Sequence, residues 1–320
     1  MKAVRLVGIA EPLREMAVPI PEAGENDVLV RIAAAGICHS DVHYWEGISP
    51  VGALPQTLGH EIAGVVEAVG TNVTAPAVGE RVCLHYLVTC NDCTYCRSSN
   101  EPFCTQGRML GKDIDGGHAE YIAVPARNAI PLPEEIPFEH GAIMMCSSAT
   151  VFHALRKGRL RAGEMVAVFG VGGLGMSAIQ LAAVFGALKV FAIDIDAARL
   201  SAAEACGAVP IDASGGGPVD ALRRHTGGRG VDVSLALVGL ANRPLCIDSY
   251  GEVLGKEAEI IGSSDHLLDE LPPLLELARQ GRLDLSRVVT DRIPLKPDAV
   301  NAALRRLKGF GPGVRTVITP

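Results

Sequence analysis

Four closely spaced cysteines constrain this chain more than any other feature of its sequence. Cys90, Cys93, Cys96 and Cys104 follow the spacing C-x2-C-x2-C-x7-C. Four thiolates at such a spacing suit a structural zinc ion, because short loops can arrange the sulfurs tetrahedrally around one metal. Free thiols or two disulfides are the alternative, although spacings this short suit a metal better than two cross-links. The sequence therefore predicts a structural-zinc loop over residues 88–105.

The composition is typical of a soluble chain with two domains. Its 320 residues are 48% hydrophobic and carry a net charge of -7, and no apolar run approaches the length of a membrane span. The N-terminus lacks the apolar core of a signal peptide, so we expect a cytoplasmic protein whose cysteines stay reduced. Cys83, Cys206 and Cys246, which lie outside any cluster, are interpreted as small core residues.

Charge argues against two classes of partner. The net charge of -7 disfavours nucleic acid and anionic membrane surfaces. A zinc-ribbon nucleic-acid binder is disfavoured as well, because only Arg97 is basic within the cysteine loop.

The hydrophobic pattern changes near position 150. Before it, short alternating strands such as 28–33 and 62–69 are broken by Gly and Pro, which is typical of a β-barrel. After it, apolar strands at 165–169 and 189–193 flank a helical stretch, which predicts an α/β unit with a parallel sheet. The stretch 287–320 again has the pattern of strand, helix and strand, and could return to the first domain.

A glycine-rich turn follows the predicted strand at 165–169. Gly170, Gly172, Gly173 and Gly175 form a G-x-G-x-x-G between strand and helix. Glycines let backbone amides approach a pyrophosphate, which the helix N-terminus then favours electrostatically. The turn predicts a dinucleotide site, and a merely tight strand-to-helix connection is the alternative.

The next strand ends in an acidic residue, Asp194, 19 positions after Gly175. A carboxylate at this place can bind both ribose hydroxyls and repel a 2′-phosphate, so NAD is favoured over NADP. Arg199, one helical turn further, could reach the adenosine ribose or be an ordinary solvated residue.

A second set of metal-type residues lies outside the cysteine loop. Cys38, His60 and Cys146 offer two thiolates and one imidazole. Three such ligands with one open position are typical of a catalytic zinc site. Because the three positions are far apart in sequence, each could instead be an ordinary core residue.

The string Gly59-His60-Glu61, with Gly64 and Gly70 after it, precedes the four-cysteine loop and the glycine-rich turn. In this order the motifs resemble the zinc-dependent medium-chain alcohol dehydrogenase family, over nearly the whole chain. The resemblance implies an α/β plus β fold with three parts. These are a GroES-like β-barrel catalytic domain at 1–148, a Rossmann NAD-binding domain with a doubly wound parallel sheet at 149–285, and a return to the catalytic domain at 286–320.

The family resemblance also implies an activity. The expected reaction is hydride transfer between a primary, secondary or aromatic alcohol and NAD, giving an aldehyde or ketone. Two zinc ions per chain, NAD, a small alcohol or carbonyl substrate and a homo-oligomer, either dimer or tetramer, are implied with it.

Residues of the catalytic centre are carried over position by position. Cys38, His60 and Cys146 correspond to the ligands of the catalytic zinc. Glu61 resembles a neighbouring or alternate ligand, and Asp41 would accept the free N–H of His60.

A proton relay is implied by the same resemblance. Ser40 and His43 would carry the proton from the substrate oxygen, through the nicotinamide ribose, to solvent. Capping of a short helix is the alternative for both residues.

The resemblance assigns further contacts around the cofactor and substrate. His39 and Arg315 match phosphate-contacting positions, while Thr150 and Leu174 fall where the family packs the nicotinamide ring. Trp45 and Tyr86 fall at the substrate pocket, where an apolar wall would favour primary or aromatic alcohols over polyols. The two aromatic residues could equally fill the barrel core.

The segment after Gly239 departs from the family. The chain passes directly from Val238 to Leu245, as though about twenty residues, one helix and one strand, were absent. The Rossmann domain is therefore expected to be shortened near 239–243, where the family contacts the nicotinamide. A catalytically impaired, zinc-stabilised scaffold or binding protein is the alternative function.

Overall fold

The computed structural model describes residues 1–236, 246–309 and 313–320. The expected gap at 239–243 lies outside these ranges. The strands, in chain order, are β1 (Lys2–Leu6), β2 (Arg14–Ala17), β3 (Asp27–Ile37), β4 (Gln56–Thr57), β5 (Glu61–Val69), β6 (Arg81–Leu84), β7 (Leu87–Val88), β8 (Arg108–Met109), β9 (Tyr121–Pro125), β10 (Ala129–Pro131), β11 (Met165–Phe169), β12 (Lys189–Asp194), β13 (Val209–Asp212), β14 (Val233–Ala236), β15 (Val289–Pro294) and β16 (Arg315–Thr319). The helices are α1 (His39–Glu46), α2 (Thr94–Arg97), α3 (Phe138–Ile143), α4 (Ala149–Lys157), α5 (Gly173–Val184), α6 (Ala197–Ala205), α7 (Pro218–His225), α8 (Leu271–Arg279) and α9 (Pro297–Lys308).

The largest sheet joins strands from both ends of the chain. Its order is β10-β6-β5-β3-β16-β15, with β9 also paired to β3. On β3, Val28, Val30 and Ile32 are buried at alternate positions, as expected for a strand with one face on a core. β16 lies antiparallel to β3 and parallel to β15. Two small sheets, β2-β1-β4 and β7-β8, lie beside the large one.

Pairing within this sheet brings three strand ends together. Gly36, near the end of β3, lies opposite Glu61 at the start of β5. Ile37 lies opposite Thr316 at the start of β16. The residues that precede or follow these positions therefore meet at one edge of the sheet, although they are distant in sequence.

The second part of the chain forms a parallel sheet of order β13-β12-β11-β14 among the described residues. β11 is apolar throughout and almost entirely buried, because helices cover both faces of such sheets. The chain order reverses at β11, and ligands of open α/β sheets bind at the carboxyl ends beside such a reversal. The predicted α/β plus β fold class is confirmed.

The predicted strands at 165–169 and 189–193 are β11 and β12, with β12 one residue longer. The segment before the departure at Gly239 contains β14, which pairs with β11. No helix in the described ranges is long and apolar enough to cross a membrane.

The isolated cysteines do not all lie in the core. Cys83 is fully buried and Cys206 is half-buried, but Cys246 is exposed. The prediction for Cys246 is therefore wrong, since this residue opens a stretch, 246–264, in which nearly every residue is exposed.

Candidate active site

Four side chains from three elements converge on one point. Cys38, His60, Glu61 and Cys146 each bring a potential ligand atom within 4.8 Å of the others, and the two sulfurs are 4.0 Å apart. The pairing of β3 with β5 places the first three together. Cys146 lies in a π-helical turn, Met144–Ser148, between α3 and α4. Such irregular turns are frequent at functional sites.

The donor atoms of this cluster fit a zinc ion. Both ring nitrogens of His60 and Oε1 of Glu61 are buried without a hydrogen-bond partner among the described residues. Buried polar atoms are normally paired, so these orphans indicate that a missing group satisfies them. Two sulfurs and an imidazole nitrogen are the donor types that zinc prefers.

The thiols of the cluster are electrostatically unlike. A hydrogen bond from Cys146 holds the pKa of Cys38 well below its usual value, although burial opposes this. The same hydrogen bond, together with burial, raises the pKa of Cys146. Both sulfurs would have to be thiolates to bind a metal ion, because the thiolate is the form that acts as a ligand.

Asp41 faces His60 and also contacts the backbone around the cluster. Its Oδ1 lies 3.7 Å from Nδ1 of His60, which is longer than a hydrogen bond. Instead, its carboxylate accepts the backbone N–H of Cys38 at 2.9 Å and that of Gly59 at 3.2 Å. Asp41 thus joins the two backbone segments that carry Cys38 and His60.

The predicted relay residues lie on α1, directly after Cys38. Oγ of Ser40 lies 3.9 Å from Sγ of Cys38. His43 is half-buried one turn further, and its ring centroid is 6.1 Å from that of His39. At the start of this helix, Asp41 makes the side-chain contact to the N-cap backbone, so the capping role considered for Ser40 belongs to Asp41.

The glycine-rich turn has the close backbone approach that its sequence predicts. Gly170 adopts a left-handed φ of 86°, which favours glycine. A Cβ on Gly175 would lie 2.0 Å from the carbonyl oxygen of Gly170, whereas one on Gly172 would meet open space. Gly172 is the N-cap of the twelve-residue α5, so unobstructed backbone amides begin the helix there.

Asp194 lies at the carboxyl end of β12 and fixes the turn. Its Oδ2 accepts the N–H of Val171 at 2.6 Å, and its Oδ1 accepts the N–H groups of Ile195 and Asp196. Arg199, on α6, has its Nε 3.9 Å from the carboxylate of Asp196. Asp194 therefore lies beside the glycine-rich turn, and Arg199 lies on the helix that follows β12.

Arg315 lies between the metal cluster and the turn. The side chain is buried and donates a hydrogen bond to Glu61. Its Cδ would be 2.6 Å from a Cβ on Gly173. Thr150 on α4 and Leu174 on α5 are half-buried, and Leu174 packs against the core.

The two predicted pocket aromatics have different surroundings. Tyr86 is fully buried, its ring is edge-on to His60 at 5.3 Å, and its hydroxyl donates to Asp265 at 2.9 Å. Trp45 is half-buried, and its indole N–H donates to the carbonyl of Glu11. The predicted pocket wall beside His60 therefore has a polar end, formed by the hydroxyl of Tyr86 and the carboxylate of Asp265. The sequence predicted an entirely apolar wall.

Sequence reasoning missed a buried polar pair behind Tyr86. Nδ1 of His85 lies 3.1 Å from Nε2 of His266, and both residues are buried. The two histidines are 181 positions apart. Each adjoins a residue of the Tyr86–Asp265 pair, but no local pattern reveals that the two dipeptides meet.

The four-cysteine loop has the geometry of a second metal site. One sulfur from each of Cys90, Cys93, Cys96 and Cys104 lies within 4.8 Å of the others. Neighbouring sulfurs are 3.5 to 3.9 Å apart, well beyond a disulfide bond of about 2.05 Å. All four are free thiols, which is the arrangement that a tetrahedral metal requires.

Comparison with known proteins agrees with this geometry. Residues 24–134 match the family described as alcohol dehydrogenase GroES-like domain, and residues 173–265 match zinc-binding dehydrogenase. An NAD-dependent alcohol dehydrogenase from Sulfurisphaera tokodaii is 36% identical over 271 residues, covering 82% of this chain and 77% of that protein. The solved alcohol dehydrogenase of Aeropyrum pernix is 34% identical with a TM-score of 0.90, and all of each chain is covered. The chain belongs to the zinc-dependent medium-chain alcohol dehydrogenase family.

A further relative aligns with the whole chain. An L-threonine 3-dehydrogenase from Symbiobacterium thermophilum is 34% identical over 348 aligned positions, covering 100% of this chain and 98% of the relative. Because the alignment is longer than the 320-residue chain, it opens gaps in this chain.

Proposed function

We propose that this chain is an NAD-dependent zinc alcohol dehydrogenase, an oxidoreductase that transfers hydride between a small alcohol and NAD. The observation that carries the proposal is the cluster of Cys38, His60 and Cys146, with its orphaned imidazole nitrogens. The family and the relatives support zinc and NAD as the cofactors.

Cys38, His60 and Cys146 would hold the catalytic zinc, with Glu61 as a neighbouring carboxylate. A zinc ion in such a site polarises an alcohol oxygen and favours loss of its proton. Ser40 would accept that proton at Oγ and His43 would release it to solvent, as an imidazole is suited to do near neutral pH. Asp41 would keep Cys38 and His60 in place through their backbone segments.

The cofactor would lie over the glycine-rich turn. Gly170, Gly172, Gly173 and Gly175 would leave room for the pyrophosphate at the N-terminus of α5. Asp194 would face the adenosine ribose and disfavour a 2′-phosphate. Arg199 would add a contact to the ribose, His39 and Arg315 would contact phosphate, and Thr150 and Leu174 would pack against the nicotinamide.

Primary, secondary and aromatic alcohols are the proposed substrates, with Trp45 and Tyr86 as pocket residues. The hydrogen bond between Tyr86 and Asp265 supports a pocket with one polar end. The likeness to an L-threonine 3-dehydrogenase is a reason to include hydroxy amino acids and diols among the compounds tested.

The organisation of the protein is part of the proposal. We place the catalytic domain at 1–148, the NAD-binding domain at 149–285 and the C-terminal return at 286–320, with a structural zinc in loop 88–105. Free cysteines throughout support a reducing, cytoplasmic location. Exposed apolar side chains at Tyr250, Leu254 and Ile260 support a homo-oligomer, which light scattering after size-exclusion chromatography would test.

The test is NADH formation, followed by absorbance, with zinc-loaded protein and a panel of alcohols. Turnover is expected from the natural chain, whereas Cys146→Ala should abolish turnover and lower the zinc content from two ions to one. Cys206→Ala, which removes a half-buried thiol elsewhere, is the matched control. Full activity of Cys146→Ala would refute the assigned site. No turnover with any alcohol, despite two bound zinc ions, would favour the scaffold alternative.

A further inference from the structure

A short segment, residues 265–270, contacts the wall of the proposed pocket and is here named the anchoring segment. Asp265 accepts the hydroxyl hydrogen bond of Tyr86, and His266 hydrogen-bonds His85. Since Tyr86 packs edge-on against His60, two consecutive residues of the anchoring segment determine where the wall lies relative to a proposed metal ligand.

The backbone at the start of the anchoring segment is strained. Asp265 has a φ of 51°, in the left-handed region that non-glycine residues seldom adopt. Asp tolerates this conformation better than most residues, but it persists only where surrounding contacts hold it. The left-handed conformation of Asp265 therefore depends on contacts that hold the rest of the anchoring segment in place.

One of the fixing contacts comes from the four-cysteine loop. Glu101 lies in a single helical turn, Glu101–Phe103, between Cys96 and Cys104. Its Oε1 accepts the backbone N–H of Leu268. Burial raises the pKa of the Glu101 carboxyl, while the Leu268 N–H opposes that rise. A partly buried carboxylate therefore ties the cysteine loop to the middle of the anchoring segment.

The far end of the anchoring segment is fixed independently. The buried carboxylate of Glu270 is 2.9 Å from Nδ1 of His153 on α4 and accepts a hydrogen bond from Arg156 at 3.2 Å. It also accepts the backbone N–H of Leu267 at 3.0 Å. These contacts hold the segment to α4, whereas Glu101 holds it to the loop.

We propose that Glu101 is a positioning residue for the substrate pocket. By holding Leu268, it keeps Asp265 and His266 against Tyr86 and His85 and so fixes the pocket wall. The four-cysteine loop then has a part in substrate selection in addition to binding its own metal. This inference rests on the proposed function, because it assumes that the alcohol binds beside Tyr86.

The first measurement does not need activity. Hydrogen–deuterium exchange of the zinc-loaded protein is followed in peptides covering 264–272 and 84–88, for the natural chain, Glu101→Ala and Glu101→Gln. Loss of a charge-assisted hydrogen bond should speed exchange in both peptides by about tenfold in Glu101→Ala. Glu101→Gln retains an acceptor and should show a smaller change. Asp92→Ala is the matched control, because it removes another carboxylate of the same loop that pairs only with Arg97 among the described contacts.

The second measurement is steady-state kinetics. Glu101→Ala should raise the KM for alcohols about tenfold and reorder the preferred substrates, with kcat and the Kd for NADH nearly unchanged, because only substrate positioning is affected. Glu101→Gln should restore most of the affinity. Equal zinc content in all variants excludes metal loss as the cause. If Glu101→Ala does not fold, Glu101→Asp, which is one methylene too short to reach Leu268, replaces it.

Three results would overturn the inference. They are unchanged exchange in 264–272, faster exchange there with an unaltered 84–88 peptide and KM, or an equal effect of Asp92→Ala. Failure of the proposed function is a different result, namely no turnover by the natural chain. In that case, the exchange rate of the 84–88 peptide in Glu101→Ala alone decides whether Glu101 positions the pocket wall.

Discussion

The buried pair of His85 and His266 should make the protein unusually sensitive to mild acid. One ring nitrogen of the 3.1 Å contact must accept the hydrogen bond, so the accepting imidazole has to stay neutral and the contact cannot persist once both rings are protonated. Burial, and then the charge of Arg127, lowers the pKa of His85 to about 3. Burial, followed by the charge of His85, also lowers the pKa of His266.

The sign and size of the effect follow from these pKa values. An unfolded histidine titrates near 6.5, so between pH 6.5 and 3 the unfolded chain binds a proton that folded His85 excludes. The stabilising effect is fully present above pH 6.5 and is lost as the pH falls through this window. Between pH 7 and pH 5, His85 alone should lower the free energy of unfolding by about 2 kcal/mol.

Urea unfolding of the zinc-loaded protein at pH 7, 6 and 5 measures this loss. We expect His85→Asn to be less stable at pH 7 but to lose about 2 kcal/mol less than the natural chain between pH 7 and 5. Exposed His225→Asn is the control for removing an imidazole and should behave as the natural chain does. Acid-induced weakening of the metal sites is common to all three proteins and cancels in the comparison. An identical pH dependence in His85→Asn and the natural chain would refute the reasoning.

Two further predictions concern the loop and the cofactor turn. Cys93→Ser should lower the zinc content from two ions to one and lower the melting temperature, because a structural zinc contributes directly to folding; unchanged zinc content by mass spectrometry would count against it. Gly175→Ala places a Cβ 2.0 Å from the carbonyl oxygen of Gly170, so it should weaken NADH binding at least tenfold with both zinc ions retained, and an unaltered Kd in a fluorescence titration would contradict the assigned turn.

Local patterns were sufficient to predict the parallel sheet and its glycine-rich turn. β11 is a continuous apolar run, β12 is apolar between Lys189 and Asp194, and the turn residues follow β11 directly. The strands and the turn can be predicted from short stretches of sequence, because the hydrophobic pattern over a few residues indicates a buried strand. The spacing of the four cysteines is local in the same sense, and their sulfurs do converge.

Side-chain partners from distant segments could not be predicted. Asp41 lies beside His60, but the two backbone amides that it binds were not predicted, and no sequence pattern indicated the pairing of His85 with His266. Glu101 was not singled out, since its partner is a backbone N–H 167 positions away. Each of these contacts depends on how separate elements pack, which periodicity does not encode.

The register of β3 against β5 depends on one residue whose role the hydrophobic pattern does not show. The first part of β3 alternates between buried and more exposed residues, whereas β5 begins with four buried residues. Such patterns do not say which residues lie opposite, and a slip of one residue would turn every side chain to the other face. Gly36 determines the match, because a Cβ there would lie 2.0 Å from Oε2 of Glu61. Only a glycine opposite Glu61 lets that carboxylate fold over the strand toward Arg315 and the metal cluster. A glycine inside a strand, ordinarily a weakness, is here the residue that allows Cys38 and His60 to meet.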